Sequence, residues 1–122
     1  MVNILIVDDE VDIVTLFGEM LRREGHEVRG CYNGKEALEE IEKEKPDLLI
    51  LDVMMPIMDG WEVCHKIKTD EKTKDIKVEM LTVRRSYQDK IKSFNESLAD
   101  WHIAKPIDKD RFLEEIRNIL RE

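Results

Sequence analysis

The stretch Leu48–Leu51 (LLIL) constrains this chain more than any other. An uninterrupted apolar run of this length reads as a strand buried on both faces, and it leads directly into a carboxylate, Asp52. A strand of that kind needs cover on each side. The remaining segments supply it, because short apolar runs alternate with longer segments of helical period. Asn3 to Val7 (NILIV) is a strand. Val11 to Glu24 carries apolar residues at 13, 14, 16, 17, 20 and 21, the pattern of an amphipathic helix that Gly25 is placed to end. His26 to Tyr32 is a second strand, and Asn33 caps a helix over Gly34 to Glu44 with Ala37, Leu38 and Ile41 inward.

Pro46 breaks the chain before a strand at Asp47 to Leu51, and Gly60 to Lys68 is a shorter helix with Trp61, Val63, Cys64 and Ile67 as core contacts. Residues 69 to 75 are a charged, solvated loop. Ile76 to Thr82 is the fourth strand, Ser86 to Leu98 a weakly patterned helix and Trp101 to Ala104 a short fifth strand. Asp108 to Arg121 closes the series as a helix with Phe112, Leu113, Ile116, Ile119 and Leu120 inward. Five β/α units in succession imply an α/β doubly wound fold, a parallel sheet with helices on both faces. In such sheets the ligand site lies at the carboxyl ends of the strands, where the strand order reverses.

Length and charge narrow the function. A chain of 122 residues suits a single domain spanning 1–122. Its net charge of -8 argues against direct binding of nucleic acid or an anionic membrane. Cys31 and Cys64 lie in no CxxC or Cys/His cluster and read as buried thiols in a reducing compartment. No apolar run is long enough to span a bilayer, and MVNILIVDDE lacks the basic leader of a signal peptide. A cytoplasmic location is the expectation.

The strand ends carry the chemistry. The first ends in Asp8, Asp9 and Glu10, the third in Asp52, the fourth in Thr82, and the fifth is followed by Lys105-Pro106. A single Asp at a strand end is most often a turn former or cap, and Asp9 alone reads that way. Polar groups at four strand ends in this order are not so easily explained. Carboxylates at ~5 Å repel by about 3 kcal/mol per pair at an effective dielectric near 20, so the cluster calls for a cation. Oxygen ligands beside a phosphate suit Mg²⁺. With no Ser-His-Asp or Cys-His arrangement and no glycine-rich phosphate loop, Asp52 is the best-placed nucleophile, able to form an aspartyl phosphate.

These residues resemble the receiver domain of two-component response regulators along essentially the whole chain. The carrying motifs are IVDDE (6 to 10), LDVMMPIMDG (51 to 60), LT (81 to 82) and KP (105 to 106). The resemblance implies a flavodoxin-like (βα)5 sandwich with strand order 2-1-3-4-5. It implies that Asp52 takes a phosphoryl group from a phosphohistidine on a sensor histidine kinase or phosphotransfer protein. Mg²⁺ is then held by Asp9 directly, by Asp8 mainly through water, by Asp52 and by the Met54 backbone carbonyl. Thr82 and Lys105 contact the phosphoryl oxygens, and the bond before Pro106 is cis. Phosphorylation draws the threonine inward with an aromatic residue behind it. The face built from the segment at 86 to 98, the fifth strand and the last helix then changes its protein partners, a phosphorylation-dependent dimer among them. The protein is a regulatory phosphoacceptor on this reading, not an enzyme with an external substrate.

The chain departs from the family pattern in places. The aromatic switch position holds His102, preceded by Trp101, and His102 reads equally as a hydrogen-bonded strand residue. Val83 stands where a small residue is usual and narrows access to Asp52. Arg84 and Met54 occupy positions that tune phosphoryl lifetime, and SFNESLA (93 to 99) is about one residue longer than usual and lacks the common glycine. These departures leave open a receiver-fold interaction module with impaired switching. A phosphatase with a DxDx[TV] motif needs an acid where Met54 stands, and a flavin carrier needs a phosphate loop where Asp8, Asp9 and Glu10 stand. With no output domain after Glu122, the chain reads either as a stand-alone receiver or as part of a longer regulator or hybrid kinase.

Overall fold

A computed structural model describes residues 2–83 and 99–121, with Thr82 and Val83 described by their backbone. Five strands form one parallel sheet: β1 (Asn3–Val7), β2 (Glu27–Cys31), β3 (Leu48–Asp52), β4 (Lys77–Val83) and β5 (Trp101–Lys105), in the order β2-β1-β3-β4-β5. The helices are α1 (Val11–Arg23), α2 (Gly34–Lys43), α3 (Gly60–Lys68) and the C-terminal α4 (Lys109–Leu120). The helix expected at Ser86 to Leu98 lies outside the described residues, as do Arg84 and the Val83 side chain.

Strand alternation separates two apolar layers. Leu5, Val7, Leu49, Leu51, Val78 and Met80 point to the face covered by α2 and α3, where Ala37, Ile41, Val63, Cys64 and Ile67 meet them. Ile4, Ile6, Leu48, Ile50, Leu81 and Ile103 point to the opposite face, against Val14, Phe17 and Leu21 of α1 and Phe112, Ile116 and Ile119 of α4. Phe17 and Phe112 meet edge to face at 4.7 Å between ring centroids, joining the two helices of that layer. Every residue of β3 is buried, as a central strand in a covered sheet must be. Cys31 and Cys64 are in no disulfide and lie buried within the α2/α3 layer.

Local signals set the helix ends. Asn33 accepts the Glu36 N–H at 2.8 Å to start α2, Asp59 accepts the Glu62 N–H at 2.9 Å to start α3, and Asp108 does the same for α4 through Arg111 N–H. Gly25 ends α1 at φ 94°, with its N–H donating to Arg22 and the His26 N–H to Leu21, a Schellman closure. Three strands, β3, β4 and β5, run one residue beyond their expected ends. β3 includes Asp52, β4 extends to Val83 and β5 to Lys105, because backbone pairing of Asp52 with Leu81 and of Val83 with Lys105 continues past the polar side chains at these strand ends.

Candidate functional site

The sheet register builds the site. Val7 pairs with Leu51, so the next residues, Asp8 and Asp52, emerge side by side at the carboxyl end of the two central strands. Asp8 stays tied to the ladder through its N–H to the Cys31 carbonyl at 3.2 Å, and its Oδ1 accepts the Glu10 N–H at 2.9 Å. Both carboxylates are buried, Asp8 fully and Asp52 at 2% exposure. Asp9 is exposed beside them, and one oxygen from each of Asp8, Asp9 and Asp52 falls within 4.8 Å of the others. Lys105, the last residue of β5, brings its Nζ to 2.8 Å from Asp8 Oδ2, 3.2 Å from Asp52 Oδ1 and 3.3 Å from Glu10 Oε1.

One ammonium cannot balance these acids. Burial, and next the Asp8 charge, push Asp52 up to about 7 despite Lys105. Burial also raises Asp8. Burial opposes the Lys105 charge, but Asp8 and Asp52 more than reverse that and raise it to about 12. Asp8 Oδ2 and Asp52 Oδ1 are both shielded from solvent, with the one ammonium divided between them. Two buried carboxylates that share one ammonium, beside a third exposed carboxylate, suit a hard cation with oxygen ligands. The three aspartates can hold a metal ion.

The loop leaving Asp52 is shaped by close approach. A Cβ on Gly60 would overlap the Asp52 carbonyl oxygen and lie 2.9 Å from Val53 Cα, so α3 starts against the backbone of the site. The Gly60 N–H donates to the Val53 carbonyl at 2.9 Å. Met54 follows with its side chain half in solvent, and Ile57 is fully exposed at φ 68°.

The structure brings Asp8, Asp9, Asp52 and Lys105 together, and the Lys105–Pro106 peptide is cis. Thr82 lies next to Ala104 in the sheet, at the same rim, while its side chain lies outside the described residues. His102 is half-buried on β5 opposite Met80, which turns it toward the α3 side of the sheet. Two contributors are not specified by residue type alone. Glu10 takes a hydrogen bond from Lys105, and only its place in the DDE triplet points to the rim. The contact of Gly60 with Asp52 depends on the path of the loop between them.

A family model described as the response regulator receiver domain matches residues 4–117. The chain belongs to this family. As a receiver domain, it is 39% identical to the DNA-binding dual master transcriptional regulator RpaA of Synechocystis, over 99% of this chain and 50% of that protein. It is 40% identical to the alkaline phosphatase synthesis transcriptional regulatory protein PhoP of Bacillus subtilis, over 98% of this chain and 48% of that one. The receiver domain thus spans about half the length of these curated relatives. Among solved structures, a putative response regulator from Chloroflexus aurantiacus superposes with a TM-score of 0.89 at 36% identity, covering 98% of this chain and 97% of that one. The signal receiver domain of a histidine kinase from Syntrophus aciditrophicus does so with a TM-score of 0.91 at 30% identity, covering 99% and 91%. The protein is thereby a receiver domain of two-component signal transduction, with the flavodoxin-like sheet order 2-1-3-4-5.

Proposed function

We propose that Asp52 is the phosphoacceptor of this receiver, and that residues 1–122 act as one unit that takes a phosphoryl group from a phosphohistidine on a sensor kinase or phosphotransfer protein. The observation that carries this reading is the pair of buried carboxylates, Asp8 and Asp52, approached by one Lys105 ammonium. An Asp52 carboxylate oxygen attacks phosphorus as the phosphorus–nitrogen bond to the donor imidazole breaks, and that nitrogen keeps the bonding electrons. Burial holds the attacking group in one place and keeps bulk water from competing. Lys105 pairs with a phosphoryl oxygen once Asp52 is esterified and loses its charge. Thr82 donates to a second phosphoryl oxygen.

Asp8, Asp9, Asp52 and the Met54 backbone carbonyl are the ligands proposed for Mg²⁺. When bound, the ion offsets the charge of the acids and of the incoming phosphoryl group. His102 is the proposed switch residue on β5, and α4, β5 and the segment at 86 to 98 form the proposed partner-binding face. The domain acts in the cytoplasm through protein contacts, with transfer on and off Asp52 as its only chemistry. Among the described residues, no helix is long and apolar enough to cross a membrane.

Intact-mass measurement after incubation with Mg²⁺ and acetyl phosphate tests the reading. One phosphoryl adduct is expected on the wild type and none on Asp52→Asn. An unmodified wild type, or an equal adduct on the variant, would reject it.

A further inference from the structure

Away from the acidic rim, a second carboxylate is buried without explanation. Glu79 interrupts the apolar run of β4 and is 0% exposed. Its strand neighbours are Ile50 on β3 and Trp101 on β5. Strand alternation places it on the same face as Leu81, toward the layer closed by Phe112, Ile116 and Ile119 of α4. No donor group reaches either carboxyl oxygen among the described residues. The charged group acting on it is another acid, Glu115, half-buried on α4.

Among the described residues, no cation comes within hydrogen-bond reach of it. Lys77, two residues back on the same face of β4, donates to the Ile119 carbonyl at 3.1 Å. Arg117 of α4 is held by Glu24, the residue after α1, at 2.6 Å, and Arg111 is exposed on a surface it shares with Asp108, Asp110, Glu114 and Glu115. From α1 the layer receives Val14, Phe17 and Leu21; from β3, Leu48 and Ile50; and from β5, Trp101 and Ile103. A hard cation would need six or more oxygen ligands, and apolar walls with two carboxyl groups do not provide them. One proton on Glu79 does what is needed: it removes the buried charge.

We propose that Glu79 is held protonated at the contact between β4 and α4, facing Glu115, and that release of this proton loosens α4 from the sheet. On release, the Glu79 carboxyl O–H breaks, the proton passes to solvent and two carboxylates face each other. Burial, together with the Glu115 charge, pushes Glu79 up to about 9. The folded chain therefore keeps a proton that the unfolded chain loses near the ordinary carboxylate range. Stability falls as pH rises through that window, down to its lowest contribution above about 9. The upper part of the window lies beyond Asp52, which is pushed up to about 7.

Carboxyl-detected NMR on the ¹³C-glutamate-labelled chain, free of divalent metal, tests the pair. One carboxyl is expected to titrate near pH 9, to vanish in Glu79→Gln, and to titrate about one pH unit or more lower in Glu115→Gln, where the like charge is gone. Between about pH 7.5 and 9, the unfolding constant of the wild type should rise by up to about tenfold per pH unit relative to Glu79→Gln. In a Trp61→Phe background, Trp101 fluorescence should change with the same midpoint. A Glu79 signal in the ordinary carboxylate range overturns the proposal, and so does a midpoint unmoved by Glu115→Gln. A chelator that lowers wild-type stability but not that of Glu79→Gln also overturns it, by making the pair a cation site. Should Glu79→Gln fail to fold, the wild-type and Glu115→Gln titrations decide alone. None of these outcomes depends on whether Asp52 accepts phosphate.

Discussion

Asp52 is held by opposing forces of comparable size. Burial and the Asp8 charge favour its protonated form, Lys105 favours the carboxylate, and the balance lies at about 7. Without metal, the folded state therefore binds more protons than the unfolded state between about pH 4 and 7. Stability should fall as pH rises through that window, and urea titrations at several pH values should show a smaller fall for Asp52→Asn. The same repulsion gives a second expectation. Asp8→Asn removes a fully buried acid from beside Asp52 and should stabilise the metal-free chain by about 1–3 kcal/mol. It should also remove most of the rise in Tm that Mg²⁺ gives the wild type through binding the folded state alone. A thermal scan with and without Mg²⁺ reads both effects. The acids and the lysine were legible in the sequence because they stand at strand ends, where a parallel sheet exposes its chemistry. The threefold engagement of Lys105 with Asp8, Asp52 and Glu10 was not, since it depends on how far a flexible side chain reaches across β4.

Among the elements, α3 is coupled most directly to the site. Gly60 lies so close to the end of β3 that the neighbouring atoms are backbone, which cannot swing aside. Gly60→Ala should destabilise the chain by about 1–3 kcal/mol and slow formation of the phosphoryl adduct, because relief requires moving the carbonyl of Asp52 itself. Asp59→Ala, one residue earlier, removes only the cap to Glu62; it should cost about 1 kcal/mol in urea unfolding and leave the adduct's yield unchanged. Helices were readable where an amphipathic stripe met a cap or a glycine, as at Gly25, Asn33 and Asp108. The strands end one residue later than the side-chain pattern indicates, at Asp52, Val83 and Lys105, because hydropathy records side chains while pairing is a property of the backbone. Glu79 was the hardest case, for the run IKVEML reads as a strand whether or not its one acid is charged.

For the whole molecule, apolar runs buried on both faces dictated helices above and below a parallel sheet. They did not dictate the strand order; that expectation came with the receiver resemblance, and the observed order β2-β1-β3-β4-β5 agrees with it. The two layers meet different demands. The α1/α4 layer is closed by the Phe17–Phe112 contact, and Phe112→Ala should cost about 3–5 kcal/mol in urea unfolding. The α2/α3 layer encloses both cysteines. Burial, followed by the charges of Glu36 and Glu40, pushes the Cys31 thiol up to about 12, and Cys64 is fully shielded. Alkylating reagents therefore meet neither a thiolate at Cys31 nor an exposed Cys64 on the closed molecule, so each modification event marks an opening of that layer. The two sulfur atoms, one at the end of β2 and one within α3, thus make the native sequence its own pair of clocks for how often each side of the layer comes apart.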